Sequence, residues 1–144
     1  MKNNHATYLA GEILAEELGY FVREYESPLK SFSATARGIT AIAINHVLLE
    51  PREDVVAIFH EIGHCETASF YNQYTSREIF QKHENRADRW AIKKLIPKDE
   101  LDVAVSNGLT EPWQLADYFN VTEDFMKKAM CLYTHGNLAT DLYF

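Results

Sequence analysis

The segment Pro51-Arg52-Glu53-Asp54-Val55-Val56-Ala57-Ile58-Phe59-His60-Glu61-Ile62-Gly63-His64 reads as a helix that presents two histidines on one face. Pro51 suits a first helical turn, where its fixed φ and missing N–H do no harm. Glu53 and Asp54 fall where the positive end of the helix dipole favours acidic groups. Val55, Val56, Ile58, Phe59 and Ile62 supply an apolar side, so the helix is expected from Pro51 to about Ala68. Because residues four apart lie one above the other, the imidazoles of His60 and His64 can reach one point in space.

Outward from this helix, the chain punctuates itself clearly. Between Ala6 and Leu18, the apolar residues Leu9, Ala10, Ile13, Leu14 and Leu18 recur at helical spacing before Gly19, which predicts an amphipathic first helix. Three short runs rich in β-branched and aromatic residues follow, Tyr20 to Tyr25, Ser31 to Thr35 and Gly38 to Asn45, separated by Ser27-Pro28 and Arg37-Gly38. They predict a small antiparallel sheet. The last run, Ile39-Thr40-Ala41-Ile42-Ala43-Ile44, is apolar at nearly every position and is expected to be covered on both faces.

Downstream, Ser69 to Phe80 reads as a connecting loop, and Gln81 to Leu95 as a helix closed by Ile96-Pro97. Pro97 to Ser106, Glu111 to Phe119 and Thr122 to Tyr133 predict three more helices, with turns at Asn107-Gly108 and Asn120-Val121. Trp90 and Trp113 are expected in the core. The fold class is α+β: a small sheet against a mostly helical domain spanning 1–144, with a catalytic core over 1–110 and a helical C-terminal segment over 111–144.

Composition narrows the function classes. Apolar residues make up 47% of the 144 and charged residues 24%, the balance of an ordered globular chain. The net charge of −7 repels phosphate backbones and anionic lipid, so broad nucleic-acid binding is disfavoured. No stretch approaches the roughly 20 apolar residues of a membrane span, and Glu12, Glu16 and Glu17 interrupt any signal-type run near the N-terminus. Two cysteines, Cys65 and Cys131, cannot frame a disulfide scaffold and point to a reducing compartment, the cytoplasm.

His60-Glu61-Ile62-Gly63-His64 is a His-Glu-x-x-His pattern inside a predicted helix, preceded by a buried strand. Such a pair of histidines suits one zinc ion per chain, and a catalytic zinc takes three protein ligands and keeps one open position. The next long helix offers carboxylates at helical spacing, Glu84 and Asp88. Glu84 is the expected third ligand. Asp88, one turn on, is placed to accept a hydrogen bond from the other ring nitrogen of His60. Glu61 is then the general base for hydrolysis of a peptide or amide bond. Cys65 points away from the shared histidine face, as does His83 from that of Glu84. Tyr71, Tyr74, His46 and His135 are each conceivable hydrogen-bond donors to the transition state, and spacing selects none of them.

The run Glu84-Asn85-Arg86-Ala87-Asp88-Arg89-Trp90-Ala91, followed by Ile92-Lys93-Lys94-Leu95-Ile96-Pro97, resembles the ImmA/IrrE family of metallo-endopeptidases. In that family a Glu-x-x-Ala-x-x-aromatic-Ala helix follows the His-Glu-x-x-His helix. The resemblance implies a zincin-like fold, Glu84 as third metal ligand, and protein substrates such as repressors and related transcriptional regulators of phages or mobile elements. It also implies a strand beside the cleft that holds extended substrate by backbone pairing, for which Gly38 to Asn45 is the candidate. Two other classes remain open. The helices around Asn120-Val121 have the length of a helix-turn-helix, although Leu109 to Leu132 carries Glu111, Asp117, Glu123 and Asp124 against only Lys127 and Lys128. A non-catalytic metal protein that binds a regulator is the other.

Overall fold

The computed structural model describes residues 6–25, 30–45 and 50–144. Helix α1 (Tyr8–Glu17) begins at Thr7, whose hydroxyl accepts the Ala10 N–H at 3.1 Å. Strands β1 (Phe21–Glu24), β2 (Phe32–Ala36) and β3 (Ile39–Ile44) follow. Helices α2 (Pro51–Glu66), α3 (Arg77–Leu95), α4 (Lys98–Ser106), α5 (Pro112–Phe119) and α6 (Glu123–His135) complete the α+β fold, with a closing 3-10 turn at Thr140–Leu142. The Ser27-Pro28 break and His46 lie outside the described residues. No helix among the described residues is long and apolar enough to cross a membrane.

The sheet is mixed, not wholly antiparallel, with the strand order β1-β3-β2. Arg37 and Gly38 both take positive φ, 51° and 76°, the conformation of a tight two-residue hairpin that folds β3 back on β2. Phe32 therefore stands opposite Ala43, and Ala36 opposite Ile39. Strands that alternate in direction give an antiparallel sheet only when they lie side by side in chain order. Here β3 inserts between its predecessors, so β1 and β3 run parallel, with Phe21 opposite Ala41 and Glu24 opposite Ile44.

Two expectations about burial fail for related reasons. Ile42 and Ile44 are wholly buried beneath α2, but Ile39 is 57% exposed and Ala41 lies open, so β3 is covered on one face only. An apolar run fixes neither face, and small alanines leave the second one free of a covering layer. In α1 the buried positions are Gly11 and Ala15, while Leu9, Ile13 and Leu18 are exposed. The contact is a close helix approach: a Cβ on Gly11 would stand 2.6 Å from Ile58 Cγ2. Small residues, not large ones, face α2.

α2 starts as its sequence dictates. Pro51 occupies the first turn, and the Glu53 carboxylate accepts the Glu50 N–H at 3.0 Å in a capping box. α3 begins four residues earlier than its apolar spacing suggests, because Ser76 caps it by accepting the Ile79 N–H. The two helices pack closely at Gly63, where a Cβ would meet the Ala87 carbonyl oxygen at 2.7 Å. Gly63→Ala is therefore expected to cost about 1–3 kcal/mol of stability through overpacking against backbone. A urea midpoint equal to that of wild type would contradict this close approach.

Downstream, Leu115, Phe119, Val121, Phe125 and Met126 bury α5 and α6 against the core. Trp90 is partly buried there, as expected. Trp113 is 56% exposed: it lies two residues before Leu115, about 200° around the helix from the buried side. Arg52 on α2 pairs with Asp117 on α5 at 2.6 Å, tying the C-terminal helices to the histidine helix.

Candidate metal centre

α2 and α3 place three side chains around one point. Nε2 of His60 and Nε2 of His64 lie 3.0 Å apart, as their one-turn spacing allows. From α3, the Glu84 carboxylate closes the triangle, with Oε1 at 2.9 Å from His64 and Oε2 at 3.1 Å from His60. The ligand atoms of all three lie within 4.8 Å of one another, and the trio could hold a metal ion.

The far side of each imidazole fixes what its near side offers. Nδ1 of His64 stands 2.8 Å from the Ser69 carbonyl oxygen, which can only accept, so Nδ1 carries the proton and Nε2 presents its lone pair. Nδ1 of His60 meets Asp88 Oδ1 at 2.7 Å, and the same argument turns its Nε2 lone pair inward. In their neutral forms the two imidazoles thus turn nitrogen lone pairs toward each other and the Glu84 carboxylate, an arrangement that a proton or a metal cation can satisfy. Ligand atoms about 2.0–2.1 Å from a tetrahedral zinc stand about 3.3 Å apart, close to the observed spacings.

The electrostatics agree. Burial alone would push the His60 pKa down, yet the hydrogen bonds and charges of Asp88 and Glu84 outweigh it and raise it to about 10. Burial likewise pushes Glu84 up, and the two histidines override it, holding its carboxyl well below the usual range. Asp88 and Glu84 thus make the surroundings of His60 favour positive charge. A divalent cation satisfies the same preference.

Glu61 lies beside the trio without joining it. It is only 3% exposed, and its Oε2 has no hydrogen-bond partner among the described residues. Burial pushes its pKa up, opposed by His60 and His64 and reinforced by Glu84. Two cavities meet at this carboxylate. One, of about 490 Å³, is lined by Lys30, Ser31, Asn45, His60, Glu61 and Glu84. The other, of about 470 Å³, is lined by Phe32, Ser33, Ala34, Glu61 and His64. Tyr71 and Phe80 border both.

That lining corrects the expectation for the strand beside the cleft. β3 is the central strand, its backbone engaged by β1 and β2 on its two sides, so Gly38 to Asn45 cannot pair with substrate. β2 borders the cleft instead, and among the described residues no strand pairs with its outer edge.

One contributor escaped sequence reasoning, and another was named there but not selected. Ser69 supports His64 because α2 ends in a Schellman turn: Ala68 takes φ 50°, and the Ser69 N–H donates to the His64 carbonyl at 3.0 Å. Glycine or asparagine usually marks this position, and alanine hides it. Among the described donor candidates Tyr71, Tyr74 and His135, Tyr71 is the one that reaches the site. Its ring meets His64 edge-on at 5.5 Å, and it lines the same cavity as Glu61 and Glu84. Burial, then the charges of Glu84 and Glu61, push its pKa up, so it stays a protonated donor. Tyr74 is 86% exposed, and His135 stacks on Tyr143 with ring centroids 3.6 Å apart. His83 faces the connection after α2, with Nδ1 at 2.9 Å from the Phe70 carbonyl, and so braces the segment that carries Tyr71. Cys65 is buried outside the trio, its thiol pushed up to about 12, mainly by burial.

Residues 15–130, which include every side chain of this centre, match the Peptidase M78 family, described as the IrrE N-terminal-like domain. No curated protein matches the chain significantly.

Proposed function

The chain belongs to the Peptidase M78 family of IrrE N-terminal-like domains, and on that footing we propose that it is a zinc-dependent endopeptidase acting on a regulatory protein. His60, His64 and Glu84 hold one zinc ion, Glu61 is the general base, and Asp88 orients His60. The observation that carries the proposal is the convergence of three metal-ligating side chains beside the buried Glu61 carboxylate, whose Oε2 has no hydrogen-bond partner among the described residues, in an open cleft. The metal-ligating group contains three residues among those described, whereas a structural zinc site is normally closed by a fourth protein ligand.

Zinc bound there would supply Lewis acidity, polarising the scissile carbonyl and acidifying the attacking water. Glu61 takes the proton from that water and delivers it to the leaving amine, a transfer favoured by its raised pKa and free Oε2. The Tyr71 hydroxyl donates a hydrogen bond to the carbonyl oxygen as negative charge builds there. Extended substrate lies along the free edge of β2, its backbone paired with Phe32–Ala36 and its side chains in the two cavities.

The family resemblance favours a phage or mobile-element repressor as substrate, and the two free buried thiols suit the cytoplasm. In a proteome-derived peptide library read by mass spectrometry, the zinc-loaded chain is expected to generate internal cuts that a chelator abolishes and added zinc restores. Cuts insensitive to the chelator, or none, would refute the proposal. Tyr71→Phe is expected to keep zinc while lowering kcat by about 10²-fold, the effect of removing one oxyanion donor. An unchanged kcat would remove Tyr71 from the mechanism.

A further inference from the structure

Asp88 divides its two carboxylate oxygens between different helices. Oδ1 meets Nδ1 of His60 on α2 at 2.7 Å, and Oδ2 accepts from Nζ of Lys128 on α6 at 2.9 Å. The carboxylate is 9% exposed and the lysine side chain 40% exposed. Among the described residues, Lys128 is the one lysine or arginine ion-paired with a carboxylate of the centre. A carboxylate held by a single imidazole can swing about its side-chain torsions. Held at both oxygens by groups on two different helices, it has one orientation, and that orientation aims Oδ1 at His60.

We propose that Lys128 is a positioning residue of the metal centre: by anchoring Asp88 Oδ2, it keeps Oδ1 on His60 Nδ1 and so keeps His60 Nε2 turned toward the ion. The inference rests on the zinc reading given above and extends it. It makes α6 part of the site, although Lys128 lies 40 residues beyond Asp88 in the chain. Partners that orient a liganding histidine typically change metal affinity 10- to 100-fold. Lys128 stands one bond further out, so its effect belongs at the lower end.

The test is zinc affinity, measured by competition with a chromophoric chelator, for wild type, Lys128→Met, Lys128→Arg, Asp88→Asn and the double variant Lys128→Met with Asp88→Asn. Lys128→Met is expected to bind zinc about 10-fold more weakly. Lys128→Arg, which keeps a charged donor, recovers most of the loss. In the Asp88→Asn background, Lys128→Met adds no further loss, because the lysine acts only through Asp88. The inference is overturned if Lys128→Met binds as tightly as wild type, or if its penalty is undiminished in the Asp88→Asn background, which would mark a general packing role of α6. Should Lys128→Met fail to fold, the same cycle run with Lys128→Gln decides between the two outcomes. Absence of zinc from the wild-type chain would overturn both this inference and the endopeptidase proposal; a zinc-binding wild type with indifferent Lys128 variants would overturn this inference alone.

Discussion

Glu61→Gln is expected to bind zinc as wild type does and to cleave peptide on the order of 10²–10⁴ times more slowly, the usual contribution of a positioned proton-transfer group. The substitution keeps the shape of the side chain and removes its ability to take a proton. The position is informative because Glu61 is buried yet leaves Oε2 without a partner among the described residues. A buried carboxylate oxygen without a hydrogen bond costs stability, and a fold selected for stability alone would pair it. Glu61 shares α2 with His60 and His64 but forms no hydrogen bond with either ring, so the amide should leave the metal-holding geometry intact. Equal kcat/KM for variant and wild type on one peptide, with equal zinc content, would remove Glu61 as the base.

Glu84→Ala should lower zinc affinity by at least about 10²-fold, since loss of a ligand exceeds the effect of losing a partner that merely orients one. Both oxygens of Glu84 are engaged, one toward each histidine. No other acidic group, cysteine or histidine among the described residues completes the cluster. Alanine is the best helix former, so α3 should persist and the loss should be local. Zinc binding at wild-type affinity, measured by chelator competition, would show that the third ligand lies elsewhere.

The elements that carry the centre were legible because local rules govern them. The capping box at Glu50 and Glu53, Pro51 in the first turn and the four-residue spacing of His60 and His64 all act within a few residues. One-turn spacing on α3 likewise brings Glu84 and Asp88 to α2 together. What escaped depends on partners far along the chain. The apolar run of β3 states that it is a strand but not which strands flank it, so its central place and its parallel pairing with β1 were invisible. In α1 the stripe of Leu9 and Ile13 looked like the packing face, whereas Gly11 and Ala15 offered the closer approach to Ile58. Ser69 was concealed by an alanine in a left-handed turn. Tyr71 could be named from sequence but not chosen over Tyr74, because its contacts with His64 and Phe80 arise only once the connection folds back over α2.

The centre itself is tested most directly by anomalous diffraction at the zinc edge from crystals of the wild-type chain supplied with one equivalent of zinc. One strong peak is expected about 2.0–2.2 Å from Nε2 of His60, Nε2 of His64 and a carboxylate oxygen of Glu84, with its remaining coordination position open toward Glu61. A peak elsewhere, no peak, or an ion closed off by a fourth protein ligand would contradict the proposed centre.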